Sequence, residues 1–290
     1  MSKLHYTEKF YSIQGEGRYM GVPSVFLRMF GCNFRCKNFG RFGKDLLDEN
    51  TTHNPEVVKI IKNIDQYNNF KELPLVDTGC DSYSSIYPEF KKFVIKETAD
   101  ELANGICELL PNHGWQNEHL IITGGEPLLG WQRAYPALLD HPKMTSLKEL
   151  TFETNGTQEL HPDFREYLLD WGHNQRSYDA VTFSVSAKLS CSGESRHEAI
   201  RPEIVCSYQE VGHTFLKFVV ATEQDAEEAL ETLDVYRAEG FAGSCYLMPV
   251  GGVESVYALN NRRVAELAMT NGLRYSDRLQ LPLFKNQWGT

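Results

Sequence analysis

The pair Cys32 and Cys36 could hold a metal centre, because cysteine thiolates ligate iron–sulfur clusters and zinc. Three residues separate the two cysteines, and the apolar stretch 25–30 directly precedes them. A third cysteine would be expected after two further residues, but that position holds Phe39. On this spacing alone, a cluster site and two thiols packed in a turn are both open interpretations.

Polar groups also follow three later apolar stretches. Thr-Gly-Gly-Glu-Pro occupies 123–127, Glu-Thr-Asn-Gly-Thr occupies 153–157 and Ser-Val-Ser-Ala-Lys occupies 184–188. Glycines let the backbone approach a ligand closely, and carboxylate and amide groups can hydrogen-bond a ribose or an amine. Each motif by itself could be an ordinary turn. Four consecutive strand ends that carry thiol or polar groups indicate one shared site.

The elements that must position these groups are strands that alternate with amphipathic helices. The strand candidates are 24–29, 119–122, 149–153, 180–185, 214–220 and 245–249. The helices predicted between them are 98–110, 131–140, 162–170, 222–239 and 256–271. This alternation predicts parallel strands joined by helical crossovers, as an α/β sheet or a partial barrel. Sites in such folds gather at the carboxyl ends of the strands.

Residues 38–79 interrupt the alternation with a polar stretch that has no clear strand. Within it, Asn54 and Pro55 precede apolar residues at helical spacing, which predicts one helix with an Asn cap and Pro at its first position. We therefore expect one domain over 1–290 with an insertion at 38–79 on its outside. A loop of that length usually carries its own structure or a function.

Bulk properties exclude several classes of protein. The formal net charge of −10 argues against a broad surface for nucleic acid or anionic membranes. No apolar run approaches the roughly 20 residues that span a bilayer, and no signal-peptide core is seen at the start. The seven cysteines are odd in number and are not spaced like a secreted disulfide framework. A reducing, cytoplasmic location is therefore expected.

Taken together, these motifs resemble those of a radical S-adenosylmethionine (SAM) enzyme, and more narrowly those of the 7-carboxy-7-deazaguanine synthase family. The segments that carry the resemblance are 10–17, 21–28, 31–36, 123–127, 153–156, 186–188 and 217–220. One departure is Ala187, where the family has proline between Ser and Lys. The resemblance implies an α/β fold, a partial (βα)6 barrel of the radical SAM type with a helical insertion.

The third cysteine is the larger departure. The family pattern is Cys-x3-Cys-x2-Cys followed by Asp-Thr and a Tyr, and here Cys-Asp-Ser-Tyr stands at 80–83. The resemblance therefore implies that Cys80 completes the ligand set of a [4Fe-4S] cluster with Cys32 and Cys36. This requires the inserted segment to close on itself so that its ends meet. A broken cluster site is the alternative, and Cys191 and Cys206 are fallback ligands.

The activity that the resemblance implies is the conversion of 6-carboxy-5,6,7,8-tetrahydropterin to 7-carboxy-7-deazaguanine and ammonia. This carbon–nitrogen lyase reaction is a step in the biosynthesis of queuosine-type 7-deazaguanines. The implied cofactors are the [4Fe-4S] cluster, SAM and Mg2+. Ser82 is the expected Mg2+ ligand, because it keeps a hydroxyl where the family has Thr. The implied partners are an electron donor such as a flavodoxin and a second copy in a homodimer, with no direct nucleic-acid or membrane contact.

Binding roles carry over position by position. The substrate positions are Ile13, Gln14, Gly15, Glu16, Arg28 and Thr123, and the SAM positions are Gly124, Gly125, Glu126, Glu153, Asn155, Ser186, Ala187 and Lys188. Arg28 suits the substrate carboxylate, because its planar fork makes bidentate contacts. The alternative for Arg28 is a surface charge at a strand end, although an arginine within an apolar strand needs a partner.

Two competing functions share some of these features. An activase that generates a glycyl radical on a partner protein would need the cluster and the Gly-Gly-Glu motif, but not the block 12–28. A non-catalytic regulatory protein on the same fold could hold zinc on Cys32, Cys36 and Cys80.

Overall fold

The computed structural model describes residues 3–48 and 50–290. Strands and helices alternate over most of this length. The strands are β1 (Leu4–Ile13), β2 (Pro23–Met29), β3 (Ile95–Glu97), β4 (His119–Gly124), β5 (Leu150–Thr154), β6 (Val181–Val185), β7 (His213–Val220), β8 (Cys245–Pro249) and β9 (Arg274–Tyr275). The α-helices are α1 (Pro55–Lys62), α2 (Ala99–Leu109), α3 (Tyr135–Leu139), α4 (Pro162–Leu169), α5 (Arg196–Ala199), α6 (Pro202–Tyr208), α7 (Glu223–Ala238), α8 (Glu254–Thr270) and α9 (Gln280–Phe284).

The strands form one sheet in the order β3-β1-β2-β4-β5-β6-β7-β8-β9. The run from β2 to β8 is parallel and consists of the six predicted strands, so the predicted α/β class is confirmed. A short parallel strand, β9, extends one edge, and the antiparallel pair β1 and β3 extends the other. The main hydrophobic core lies between the sheet and its helices, and it joins strand residues such as Ile122 and Phe152 to helix residues such as Leu138 and Phe164.

The predicted helices are found with small shifts at their ends. Capping boxes start two of them, from Thr98 with Glu101 at α2 and from Thr222 with Asp225 at α7. The helix predicted over 131–140 is shorter, because Pro136 fits only in the first turn and α3 therefore begins at Tyr135. Across the described residues, no helix is both long and apolar enough to pass through a membrane.

Strand β1 is the main element that the sequence did not predict. Its alternation is broken by a bulge between Tyr6 and Glu8, and Thr7 and Glu8 are buried although polar. Tertiary partners supply their hydrogen bonds, since Thr7 reaches Ser85 at 2.8 Å and Glu8 reaches Arg28 at 2.7 Å. Because Thr7 and Glu8 are polar but buried, the sequence of β1 lacks the apolar alternation that predicts a strand.

The inserted segment 38–79 carries the predicted helix, and its two ends meet. Asn54 caps α1 by accepting a hydrogen bond from the Glu56 N–H at 2.8 Å. The same side chain donates to the Lys37 carbonyl at 3.3 Å and to the Thr78 hydroxyl at 3.0 Å, so it ties both ends together. Beside it, the Gly79 N–H donates to the Phe39 carbonyl at 2.7 Å. Cys80 is thereby returned to the neighbourhood of Cys36.

Candidate functional site

One large cavity opens where the parallel strands end. Strand residues on its wall are Arg28, Thr123, Gly124, Glu153, Ser184, Lys217 and Met248. Six parallel strands can contribute to the wall of one cavity only if the sheet curves around it. The curved sheet therefore forms an open, partial barrel. The predicted site residues on the wall are Ile13, Gln14, Gly15, Glu16, Arg28, Cys32, Cys36, Cys80, Ser82, Thr123, Gly124, Gly125, Glu153, Asn155, Ser186 and Lys188.

Cys32, Cys36 and Cys80 share this cavity, and their thiols are free. Burial raises the pKa of Cys32 to about 11 and that of Cys80 to about 12, with smaller contributions from neighbouring negative charge. Burial also raises the pKa of Cys36 well above its ordinary value, and the nearby Cys80 and Cys32 add to this shift. Cys32 and Cys80 both pack against the small hydrophobic cluster that contains Cys36, so the three side chains are neighbours. A metal centre here would displace the thiol protons.

The two fallback cysteines lie elsewhere. The Cys191 thiol donates to the Val219 carbonyl at 3.4 Å and is not on the cavity wall. The Cys206 thiol lies 3.9 Å from the Tyr236 carbonyl, also away from the wall. Both thiols therefore lie outside the cavity wall that Cys32, Cys36 and Cys80 share.

Three thiols on one cavity wall supply the donor atoms that a [4Fe-4S] cluster needs, because such clusters are held by cysteine thiolates. In the described part of the chain, no three His, Cys, Asp or Glu side chains are arranged to hold one metal ion. The loop after β4 packs tightly against the cysteine loop, because a Cβ at Gly125 would lie 2.8 Å from the Cβ of Cys32 and closer still to the Gly31 carbonyl oxygen. Only glycine fits against the cysteine loop at this point.

Glu126 and Ala187 are the two predicted site residues whose side chains lie behind the wall. Ala187 is part of the hydrophobic core. The buried Glu126 carboxylate accepts hydrogen bonds from the Leu128 N–H at 3.0 Å, the Thr154 hydroxyl at 2.8 Å and the Asn155 N–H at 2.7 Å. Glu126 therefore joins the loop after β4 to the loop after β5.

Arg28 has a buried partner that sequence reasoning missed. Its Nε donates to Glu8 at 2.7 Å, and its Nη1 donates to the Ser82 hydroxyl at 2.7 Å. Glu8 is 3% exposed, and among the described residues its second oxygen has no hydrogen-bond partner. The two residues stand opposite each other on β1 and β2. The surface-charge alternative for Arg28 is thus wrong, since its guanidinium is paired at the cavity.

A second charged network surrounds Glu16. Its carboxylate accepts from Lys217 at 2.7 Å, from Arg278 at 3.2 Å and from Gln280 at 3.0 Å. Arg278 also binds Asp81, the residue after Cys80. Burial alone would raise the pKa of Glu16, but the charges of Lys217 and Arg278 outweigh it and lower that pKa to about 2.

Glu153 connects this network to two of the predicted substrate positions, Gln14 and Thr123. It accepts from the Gln14 amide at 3.0 Å and from the Thr123 hydroxyl at 3.0 Å, with Lys217 at 3.8 Å. Sequence reasoning did not name Lys217 as a site residue. A signal was present, because a lysine inside an apolar strand needs a partner, as was argued for Arg28. Arg278 had no comparable signal.

The pH dependence of folding should report the Glu16 network. A carboxyl whose pKa is lowered on folding adds stability above its unfolded pKa of about 4.5, and this stability is lost as the pH falls towards 2. We expect Glu16→Gln to destabilise the protein at pH 7, by at most about 3 kcal/mol for a shift of this size. The difference from wild type should shrink below pH 4.

Urea unfolding of iron-free protein at pH 7, 5, 4 and 3 measures this effect without acid loss of a cluster. Glu227, which is exposed on α7, provides the control Glu227→Gln. Only Glu16→Gln should change how the free energy of unfolding varies with pH. An equal pH dependence for both variants would show that Glu16 is not stabilised by its cationic neighbours.

Comparison with known proteins gives a consistent result. No family model matches the chain. The 7-carboxy-7-deazaguanine synthase of Halobacterium salinarum is 27% identical over 98% of this chain and 91% of its own. The enzyme of the same name from Rhodopirellula baltica is 28% identical over 100% of this chain and 90% of its own. A crystal structure of QueE from Escherichia coli matches the fold with a TM-score of 0.52 at 19% identity, covering 94% of this chain and 93% of that one.

The chain therefore combines an open, curved sheet of parallel strands with three cysteines on the wall of the cavity at their carboxyl ends. The chain is thus similar over nearly its whole length to several proteins that carry the name 7-carboxy-7-deazaguanine synthase.

Proposed function

We propose that the protein is a radical SAM lyase that converts 6-carboxy-5,6,7,8-tetrahydropterin to 7-carboxy-7-deazaguanine and ammonia. The product belongs to the biosynthesis of queuosine-type 7-deazaguanines. The observation that carries the proposal is one cavity whose wall holds three thiols together with Arg28 and the Glu16 network. The thiols suit a cluster, and the charged groups suit a small polar substrate that bears a carboxylate.

Cys32, Cys36 and Cys80 would hold the [4Fe-4S] cluster. When bound, the reduced cluster and SAM supply a 5′-deoxyadenosyl radical for hydrogen abstraction from the substrate. The loop that contains Gly125 would bind the methionyl part of SAM, because it lies on the cavity wall directly against the cysteine loop. The other SAM positions on the cavity wall are Gly124, Glu153, Asn155, Ser186 and Lys188. Glu126 and Ala187 would support this site from behind.

The substrate residues would bind and orient the pterin rather than react with it. Arg28 has its Nε and Nη1 engaged by Glu8 and Ser82, so its fixed guanidinium can present the remaining N–H groups to the substrate carboxylate. Glu16 offers acceptor oxygens for the amine edge of the pterin. Thr123, Gln14, Ile13 and Gly15 complete the binding wall.

Ser82 would take part in Mg2+ binding. Its hydroxyl lies on the cavity wall and accepts one hydrogen bond from Arg28, which leaves a second lone pair for a hard cation. Asp81 beside it contributes a carboxylate to the same wall. The negative charges of Asp81 and Glu8 offset the positive charge of Arg28 at this point.

The remaining expectations belong to the same proposal. The protein would act in the cytoplasm as a homodimer, with 1–290 as one domain and 38–79 as its insertion. An electron donor such as a flavodoxin would reduce the cluster. No direct contact with nucleic acid or membrane would be needed, because the substrate is a small molecule.

An anaerobic assay tests the activity. Reconstituted protein should be brown with about four irons per chain, and with SAM, a reductant, Mg2+ and the carboxypterin it should form 7-carboxy-7-deazaguanine and ammonia. Reactions without SAM provide the control. A brown protein that cleaves SAM but gives no deazaguanine would favour the glycyl-radical activase. A colourless protein that retains zinc would favour the regulatory protein.

A further inference from the structure

Residues 286–290, called here the closing segment, lie along the cavity wall. Gln287, Trp288, Gly289 and Thr290 line the cavity with the cysteines and the Glu16 network. A Cβ placed on Gly289 would come within 4.0 Å of Phe10 on β1, so the segment reaches across to the opposite edge of the sheet. The segment is therefore a wall of the substrate cavity.

The insertion provides the surface on which this segment rests. The Trp288 indole N–H donates to the Leu73 carbonyl at 2.7 Å. The rings of Phe70 and Tyr83 pack edge-on against the indole, each with its centroid at 5.9 Å. Leu73 and Phe70 belong to the insertion, and Tyr83 follows Cys80. We call these three residues the tryptophan seat.

The backbone before Trp288 needs such an anchor. Lys285 and Asn286 both adopt a φ of 55°, a left-handed conformation that asparagine tolerates but that is unfavourable for lysine. The Asn286 amide donates to the Gly252 carbonyl at 2.8 Å, which fixes the start of the segment. The part of the closing segment after Asn286 is held by the contacts between Trp288 and the tryptophan seat.

We propose that the insertion 38–79 serves to seat the closing segment, and that Trp288 is the positioning residue that holds this segment over the substrate. The inference rests on the proposed function, since it assigns one wall of that cavity. A closed wall keeps water from the reacting groups and holds the substrate in place. Without the seat, the segment would leave the cavity while the barrel and the cysteines remained intact.

The test combines variants on both sides of the contact. Trp288→Ala removes the indole, Phe70→Ala removes one side of the seat, and Trp288→Phe keeps a ring but loses the N–H donor. The control is Phe42→Ala, because Phe42 is exposed on the insertion and is not part of the seat. Hydrogen–deuterium exchange of a peptide over 284–290 measures whether the segment is held.

We expect faster exchange in this peptide for Trp288→Ala and Phe70→Ala, a smaller increase for Trp288→Phe and no change for Phe42→Ala. The iron content should stay at the wild-type level. The KM for the carboxypterin should rise about tenfold or more, since about 1.4 kcal/mol of lost contact is tenfold in affinity. The ratio of 5′-deoxyadenosine to deazaguanine product should also rise, because a substrate held loosely lets SAM cleavage run without turnover.

Unchanged hydrogen–deuterium exchange in Trp288→Ala would show that the tryptophan seat does not hold the closing segment. Faster exchange with an unchanged KM and an unchanged product ratio would overturn the role of the segment as a cavity wall. If the wild-type protein made no deazaguanine, the proposed function would be wrong, whatever the exchange measurement showed. The exchange measurement would still decide whether Phe70 and Trp288 hold the segment.

Discussion

Cys80→Ala is expected to lose its iron–sulfur cluster as completely as Cys32→Ala. Cys80 is separated from Cys36 by 43 residues in the sequence, yet both are on one cavity wall, where Cys80 packs against the small cluster that contains Cys36. Two cysteines alone leave a four-iron cluster short of a protein ligand. Reconstituted Cys80→Ala should therefore fall from about four irons per chain to nearly none, and deazaguanine formation should disappear with the iron.

The matched control is Cys191→Ala, since that thiol donates to the Val219 carbonyl away from the cavity. This variant should keep its iron, its brown colour and its turnover. Iron analysis and the visible absorption of anaerobically reconstituted protein measure the difference. A Cys80→Ala protein with full iron content and activity would show that another residue completes the ligand set.

Arg28→Met is expected to reduce kcat/KM and stability together, for two separable reasons. Loss of the guanidinium leaves the Glu8 carboxylate buried without its partner, which costs about 3 kcal/mol of folding free energy. Loss of the contact to the substrate carboxylate removes a charged hydrogen bond of about 1.5–3 kcal/mol. That energy corresponds to a decrease in kcat/KM of about tenfold to a hundredfold.

A second substitution separates the two effects. In the double variant that combines Glu8→Gln with Arg28→Met, no unpaired charge is buried, so most of the lost stability should return. Activity should stay low, because neither substituted side chain can bind a carboxylate as an arginine does. Urea unfolding and steady-state kinetics of the single and double variants measure both quantities. If the double variant regained activity, Arg28 would act only through the fold and not on the substrate.

The order of the strands and helices in the core could be predicted from the local pattern of apolar residues. Six apolar stretches that alternate with amphipathic helices predicted the parallel strands from β2 to β8. A parallel strand that is buried on both faces is apolar along its whole length, which makes it recognisable in the sequence. The motifs at the ends of these strands could be placed together for the same reason. Parallel strands direct their carboxyl ends to one edge, so Cys32, Gly125, Glu153 and Ser186 had to be neighbours.

Contacts between residues that are far apart in the sequence could not be predicted from local patterns. β1 was missed because its buried positions include Thr7 and Glu8, whose polarity is satisfied only by Ser85 and Arg28. Arg278 lies in a region without a motif, and its contacts with Glu16 and Asp81 depend on how the chain returns after β9. No local pattern of charge specifies such a contact.

Local sequence was enough to predict the alternating α/β core, the motifs at its strand ends and the resemblance to one enzyme family. Each of these depends on residues within a short stretch, where spacing and side-chain type act directly on the backbone. Only the tertiary structure decided which residues complete the cavity. It returned Cys80 to Cys36 through the closed insertion, paired Arg28 with Glu8 and set Trp288 against Leu73. These contacts join positions far apart in sequence, and they form only because packing of the whole chain offsets the entropy of closing the loops between them.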